Sequence, residues 1–325
     1  MSNVAVFVPH KGCPRQCSFC DQKIISGTVE PVTAAEVTRI LKKACENPRH
    51  RENQIAFFGG SFTAIDRAYM RELLEATVPF QNDFAGIRIS TRPDAIDGEI
   101  LSFLKPYGVT AIELGAQSMQ ESVLARNRRG HTAEDVKRAS ALIKSHGFEL
   151  GLQMMTGLYG DTDAMAIDTA KQLAALEPKT VRIYPTVVLA GTELDRLYRE
   201  GIYTPQTTEQ AVELCVKLIP IFEEKGIKII RLGLHESDDV KHRRTAGAYH
   251  PALKELCLAR IYYENALRLL KEKPHGAYTL AVGARHLSQM AGQKKENIIK
   301  LQTAGYDVHI IPDDTLTAYQ VRMVP

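Results

Sequence analysis

Residues 4–20 read VAVFVPHKGCPRQCSFC, and this stretch decides the fold. Val4 to Val8 is a short apolar run of β-branched and aromatic residues, the pattern of a buried strand, and it empties into a loop carrying Cys13, Cys17 and Cys20. Outward from it the pattern repeats. Further runs read as strands at Gln54 to Phe58, Ile87 to Ser90, Thr110 to Leu114, Phe148 to Met154 and Thr180 to Tyr184, with another candidate at Ile227 to Leu232. Segments with helical spacing fall between them. Thr33 to Glu46 starts with Thr33 and carries Glu36 three residues on, a capping box, and Thr132 to His146 stops before Gly147. Alternating strand and helix implies parallel strands joined by crossover helices, and six or seven such units curl into an open or closed barrel.

In such a barrel the chemistry sits just past the C-terminal ends of the strands. Those ends are unusual here. They run into PHKGCPRQCSFC, into Gly59, Gly60 and Ser61, then into TRPD, GAQS and TGLYGDT, and last into Pro185 and Thr186. Each strand delivers small, polar or cysteine side chains to one face, so a single shared site is expected there.

The 325 residues are 44% hydrophobic and 24% charged, a profile that fits one large globular domain plus something smaller. The start, SNVAVFVPH, lacks the basic segment and long apolar run of an export signal. No stretch approaches the roughly 18 apolar residues of a membrane span. A cytoplasmic protein with no membrane association is expected, its six cysteines being thiols or metal ligands and not a disulfide framework. The net charge of +3 permits a nucleic-acid partner without arguing for one.

Thiolates spaced C-x3-C-x2-C in one short loop converge on a single metal centre. A structural zinc would take four protein ligands, and Cys45, Cys215 and Cys257 lie in helical patterns where they read as small buried hydrophobes. A redox pair is the other reading of C-x-x-C. Three cysteines suit a cubane 4Fe-4S cluster that keeps one iron open, so Cys13, Cys17 and Cys20 are the expected metal ligands.

The motif GCPRQCSFC, with Phe19 before its last cysteine, resembles that of the radical S-adenosylmethionine (SAM) superfamily. The resemblance implies a partial (β/α)6 barrel in the α/β class, a 4Fe-4S cluster whose open iron chelates SAM, release of a 5'-deoxyadenosyl radical, and an electron donor of flavodoxin or ferredoxin type. Gly59 and Gly60 in FFGGSFT would then lie along the methionine moiety of SAM, with Ser61 where the superfamily often has Glu. From STRPD, Thr91 and Arg92, with Ser90, would meet the ribose and carboxylate. From IELGAQS, Gln117 and Ser118 would offer neutral hydrogen bonds to the adenosyl part. Gly157 and Gly160 in MMTGLYGDT would support the adenine. Arg128, Arg129 and His131 could hold the SAM carboxylate or a substrate phosphate, and Tyr184 and Arg231 could face the substrate. Packing readings stand beside these: an ion pair to Asp94 for Arg92, a satisfied buried amide for Gln117, a tight turn for Gly59 and Gly60. No protein residue is assigned as catalytic.

Together with RRGHTAEDV and RIYPTVVLAGTELDRLYREGIY, these motifs resemble the radical SAM domain of the Elongator catalytic subunit and its stand-alone relatives, collinearly from about Val4 to Tyr203. That resemblance implies tRNA as a substrate. The Elongator subunit has a longer spacing between its first two cluster cysteines, an N-terminal extension and a C-terminal acetyltransferase domain. This sequence has the general superfamily spacing and neither addition, so carboxymethylation of tRNA by this chain alone is not expected. Two alternatives remain: radical chemistry on a small metabolite such as a porphyrin, and a nucleic-acid-binding module that holds SAM without turnover.

Three parts are expected: the barrel at 1–235, a linker and helix at 236–275, and a small α+β unit at 276–325. The turn Gly292-Gln293-Lys294-Lys295 between two helical stretches resembles the G-x-x-G loop of KH modules, which clamps a phosphate backbone, with Lys295 in place of the second glycine. A KH-like unit retained only to pack against the barrel is the competing reading.

Overall fold

A computed structural model describes residues 3–8, 13, 16–20, 31–234 and 238–324, with the side chains of residues 238 and 239 excepted. Most of the chain alternates strand and helix, as the apolar pattern requires. The first strand, β1 (Asn3–Val8), leads through the cysteine loop to α1 (Ala34–Cys45). Thr33 begins that helix with a capping box: its hydroxyl accepts from Glu36 N at 3.2 Å and its N–H donates to the Glu36 carboxylate at 3.4 Å. Next come β2 (Gln54–Gly59), α2 (Arg67–Glu75), β3 (Ile87–Thr91), α3 (Gly98–Leu104) and β4 (Val109–Gln117). The short α4 (Glu121–Arg126) precedes α5 (Ala133–Ser145), whose cap Thr132 forms a second capping box with Asp135. The barrel continues through β5 (Glu149–Thr156), α6 (Asp163–Ala175), β6 (Thr180–Pro185), β7 (Val187–Leu189), α7 (Glu193–Arg199), α8 (Thr208–Glu223) and β8 (Lys228–Leu232).

Among the described residues β1 to β6 and β8 pair in parallel in that order, a curled half-barrel whose two edges are β1 and β8. The expected α/β barrel is present, with the candidate strand at 227–232 as its seventh member. Val6 and Val8, Ile55 and Phe57, Ile87 and Ile89, Ile112 and Leu114, Leu150 and Leu152, and Val181 and Ile183 face the helices and form the main core with them. The opposite face lines the hollow of the half-barrel. Here β4 runs three residues further than its apolar run predicts. Gly115 pairs with Gln153 and Gln117 with Met154, across a register shift between them.

The rest of the chain adds two small sheets. After α9 (Asp238–Arg243), β9 (Arg244–Gly247) pairs antiparallel with β7, at the C-terminal end of the barrel strands. Helix α10 (Leu253–Leu270) then joins two cores: Leu253, Cys257 and Leu258 belong to the barrel, whereas Tyr262, Ala266 and Leu270 belong to the C-terminal unit. That unit holds β10 (Gly276–Val282), α11 (Leu287–Ala291), α12 (Glu296–Thr303), β11 (Tyr306–Pro312) and β12 (Val321–Val324), with β10 central, parallel to β11 and antiparallel to β12. Lys294 and Lys295 both have positive φ, 50° and 63°, in the turn between α11 and α12. No helix among the described residues is long and apolar enough to cross a membrane.

Candidate active site

The cysteine loop is pinned from several sides. Ser18, between Cys17 and Cys20, donates its N–H to Asn127 O at 3.2 Å and its hydroxyl to Asn127 Oδ1 at 2.7 Å, while its carbonyl accepts from Leu194 N at 2.8 Å. Asn127 is fully buried, and its Nδ2 donates to the carbonyls of Val123 at 2.8 Å and Tyr159 at 2.9 Å. One amide thus ties the cysteine loop to the end of α4 and to the loop after β5. Cys17 is buried, Cys20 half-buried and Cys13 exposed.

Cationic groups surround the loop. Arg129 Nη1 donates to Cys17 Sγ at 3.1 Å and Nη2 to Gly115 O at 2.6 Å, and its guanidinium lies 5.9 Å from the centre of the Phe19 ring. The backbone N–H of Ser61 points at the Cys13 thiol. Cys13 reaches solvent, yet partial burial of its sulfur, followed by the charge of Cys17, pushes its pKa up against the pull of Arg92, Arg129 and that N–H. No three His, Cys, Asp or Glu groups among the described residues stand at metal-ligand spacing. The donor set nonetheless fits a cluster: three thiols in one loop, two of them close enough to perturb one another, beside two guanidinium groups that favour thiolate.

The end of β4 fits SAM on independent grounds. Three of the six buried polar atoms without a partner among the described residues are here: Gln117 Oε1, Arg129 Nε and His131 Nδ1. Buried polar groups in folded proteins are nearly always satisfied, so such a cluster marks a ligand position. Gln117 has φ +63° at the strand irregularity, a strained conformation for a side chain of its kind. Its oxygen can accept from an ammonium and the Arg129 Nε–H can donate to a carboxylate, the two groups at one end of SAM. Burial, then the charge of Arg129, lowers His131 to about 4, so the imidazole is neutral at neutral pH. Its Nε2 meets the Ala116 carbonyl at 3.1 Å and so carries the proton, leaving Nδ1 as an acceptor.

The other predicted residues are near this centre but differently occupied. Ser61 and Thr91 share a hydrogen bond of 2.8 Å, Thr63 meets Thr91 at 2.5 Å, and Arg92 N donates to Ser61 Oγ at 3.1 Å, so these hydroxyls knit the ends of β2 and β3. Arg92 forms a two-pronged ion pair with Asp94 at 2.8 and 2.7 Å and also donates to Arg129 O at 2.9 Å. Gly59 has φ +116°, and a Cβ there would lie 2.7 Å from Val8 O, while Gly60 N donates to the same carbonyl. Close packing of β2 on β1 therefore accounts for the first glycine. Gly157 N–H is held by Asp161 at 3.2 Å and its carbonyl by the Tyr203 hydroxyl at 2.6 Å. Burial raises Asp161 to about 6 in spite of its backbone hydrogen bonds.

Sequence reasoning passed over Asn127 and the polar inner wall of the half-barrel. Glu113, 1% exposed, accepts from Arg88, from Gln153 and twice from Arg182 at 2.8 to 3.2 Å. Arg88 also binds Glu149 at 2.6 Å and Gln54 at 2.8 Å, and Arg182 lies over the Phe58 ring at 5.1 Å. The signal is a single charged residue inside an otherwise apolar run: Arg88, Glu113 and Arg182.

The radical SAM superfamily model matches residues 7–173, and a radical SAM C-terminal domain model matches residues 178–263. An uncharacterized protein of Methanocaldococcus jannaschii is 29% identical over 64% of this chain and 63% of its own length. The tRNA uridine(34) acetyltransferase of the same organism is 26% identical over 65% of this chain and 47% of its own, and human Elongator complex protein 3 is 31% identical over 54% and 32%. This chain thus spans less than two thirds of those relatives. In fold it is similar to the Elp3 structure of Methanocaldococcus infernus, at TM-score 0.64 and 20% identity over 82% of this chain and 67% of that one. With the matched segment covering half of its length, the chain belongs to the radical SAM superfamily.

Proposed function

We propose that this chain is an enzyme of tRNA modification in which Cys13, Cys17 and Cys20 hold a 4Fe-4S cluster and the end of β4 holds SAM. One observation carries the cofactor reading: Gln117, Arg129 and His131 have buried polar atoms without a partner among the described residues at the end of β4, where Arg129 meets Cys17, and these atoms complement an amino-acid group. When bound, cluster and SAM supply reductive cleavage of a sulfonium bond, which yields a 5'-deoxyadenosyl radical. The chain's own residues do the rest. Arg129 Nε donates to the SAM carboxylate and Gln117 Oε1 accepts from its ammonium. His131, neutral, adds an acceptor through Nδ1. Gly60, Ser61 and Thr91 line the methionine side, with Ser61 held by Thr91 and Arg92 fixed by Asp94. Gly59 and Gly157 serve by shaping the loops that flank the pocket, because their surroundings leave no room for a side chain.

A flavodoxin- or ferredoxin-type donor supplies the electron. The tRNA reading is supported by the names of the relatives, a tRNA uridine(34) acetyltransferase and Elongator complex protein 3. A nucleoside profile of tRNA from cells lacking the protein tests it: one modified nucleoside disappears and returns with the wild-type gene but not with Cys17→Ala. An unchanged profile removes tRNA as the substrate.

A further inference from the structure

The hollow of the half-barrel carries a charge that no described residue neutralises. Arg231, on the edge strand β8, is the register partner of Arg182 on β6. Register partners on parallel strands face the same side, so both guanidinium groups belong to the inner wall. Like charges so placed repel. Arg182 is compensated by two hydrogen bonds to Glu113, and Arg88 by Glu113 and Glu149. The wall without Arg231 is therefore balanced, two arginines against two glutamates. Arg231 itself forms no ion pair among the described residues. Its hydrogen bond runs from Nε to Gly233 O at 3.0 Å, which leaves both terminal nitrogens without a partner among the described residues and free to bind an anion.

Tyr184 adds a donor. It shares the inner face with Arg182, which hydrogen-bonds to its hydroxyl, and it feels the charge of Arg231. A phenol that accepts from Arg182 keeps its own O–H to donate. Burial raises the Tyr184 pKa, so that proton is present at neutral pH. Arg231, on the edge strand β8, and Tyr184, on its neighbour β6, thus present donors on the inner face at that end of the sheet.

We propose that Arg231 and the Tyr184 hydroxyl form an oxyanion subsite that receives a phosphate group of the RNA substrate. The choice of phosphate over a metabolite carboxylate rests on the tRNA reading above; the subsite itself rests on the uncompensated arginine.

Two measurements test it on the full chain prepared anaerobically. The first is binding of a labelled tRNA anticodon stem-loop as a function of salt. Arg231→Gln should weaken it about tenfold, the loss of one charged hydrogen-bonding contact. It should also reduce the slope of log affinity against log salt by roughly 0.7 to 0.9, one phosphate. Arg231→Lys should preserve the slope, and Lys294→Ala with Lys295→Ala serves as the comparison for the C-terminal loop. The second is thermal stabilisation by inorganic pyrophosphate, expected for wild type and Arg231→Lys and absent in Arg231→Gln, with circular dichroism as the check on folding. Stem-loop affinity and slope unchanged in Arg231→Gln overturn the proposal while leaving the tRNA reading intact. If wild type binds no RNA at low salt yet pyrophosphate protects it through Arg231, the tRNA reading falls and the subsite belongs to a small anionic substrate. If neither probe depends on Arg231, the subsite is refuted.

Discussion

Asn127→Ala is the substitution whose cost follows most directly from the geometry. The side chain is fully buried and makes three hydrogen bonds, to the Ser18 hydroxyl at 2.7 Å and to the carbonyls of Val123 and Tyr159 at 2.8 and 2.9 Å. Each bond contributes about 1 kcal/mol net, and a buried group left without its partner costs about 1–3 kcal/mol. Val123 O keeps the backbone N–H of Asn127, so the stranded groups are the Ser18 hydroxyl and the Tyr159 carbonyl. The expected loss is about 2–4 kcal/mol. Urea unfolding of the metal-free protein reads it as a fall in midpoint at unchanged slope. Iron bound per chain after anaerobic reconstitution reads the same clamp through the cysteine loop, and should fall with it. Asn127→Asp keeps the acceptor for Ser18 but sets a carboxylate against two carbonyls, so it should be no better. Ser18→Ala leaves Asn127 Oδ1 without its donor and should cost about 1–3 kcal/mol. An Asn127→Ala protein within ~0.5 kcal/mol of wild type, with full iron content, would refute the idea that this amide sets the loop.

Three further outcomes follow from the same geometry. Glu113→Gln leaves Arg88 and Arg182 facing each other across a neutral amide in a site 1% exposed, and should destabilise by about 3–5 kcal/mol in the same urea assay; a loss below ~1 kcal/mol would mean that water reaches the inner wall. Asp161 has a folded pKa of about 6 against an ordinary 3.8, so the folded state holds the proton more tightly. Its stabilising effect is full below pH ~4 and is lost as pH rises through about 6. Asp161→Asn keeps the acceptor for Gly157 N–H and should gain on wild type by up to about 3 kcal/mol between those limits, seen in melting curves from pH 4.5 to 7.5; parallel curves would contradict the assignment. Gly59→Ala should cost about 2 kcal/mol or more, because the new methyl group would sit 2.7 Å from Val8 O at a φ of +116°. Gly191→Ala, at a positive φ with nothing within 4 Å, should cost less; equal melting temperatures for the two would argue against the close approach.

The strand centres were legible because a sheet covered by helices on one face must carry an apolar side chain at every second position. The strand ends were less so. In β4 the ladder continues through Gly115 to Gln117, small and polar residues whose hydrogen bonds are made by the backbone and leave no mark in hydropathy. The β7–β9 pair could not be read locally, since Val188 meets Ala246 far along the chain. Within the site, the three cysteines announced themselves by spacing, whereas Asn127 lies among Arg126, Arg128 and Arg129 and looks like part of a solvated basic run. Its importance comes from the Ser18 backbone brought to it by the fold. For Arg92 the sequence allows both a SAM ligand and a partner of Asp94, and the ion pair with Asp94 is present. The Gly157 N–H and carbonyl are held by Asp161 and Tyr203, and the contact with Tyr203, 46 residues on, leaves no mark in the local pattern.

What the cysteine loop binds decides the chemistry of this protein. Reconstituted with iron and sulfide under strict exclusion of oxygen, the wild-type chain should take up about four irons. With SAM and a strong reductant it should then release 5'-deoxyadenosine, and Cys13→Ala, Cys17→Ala and Cys20→Ala should each abolish that release. Retention of a single tetrahedral zinc in place of the cluster, or 5'-deoxyadenosine at wild-type levels from Cys17→Ala, would rule out a cluster held by these three cysteines.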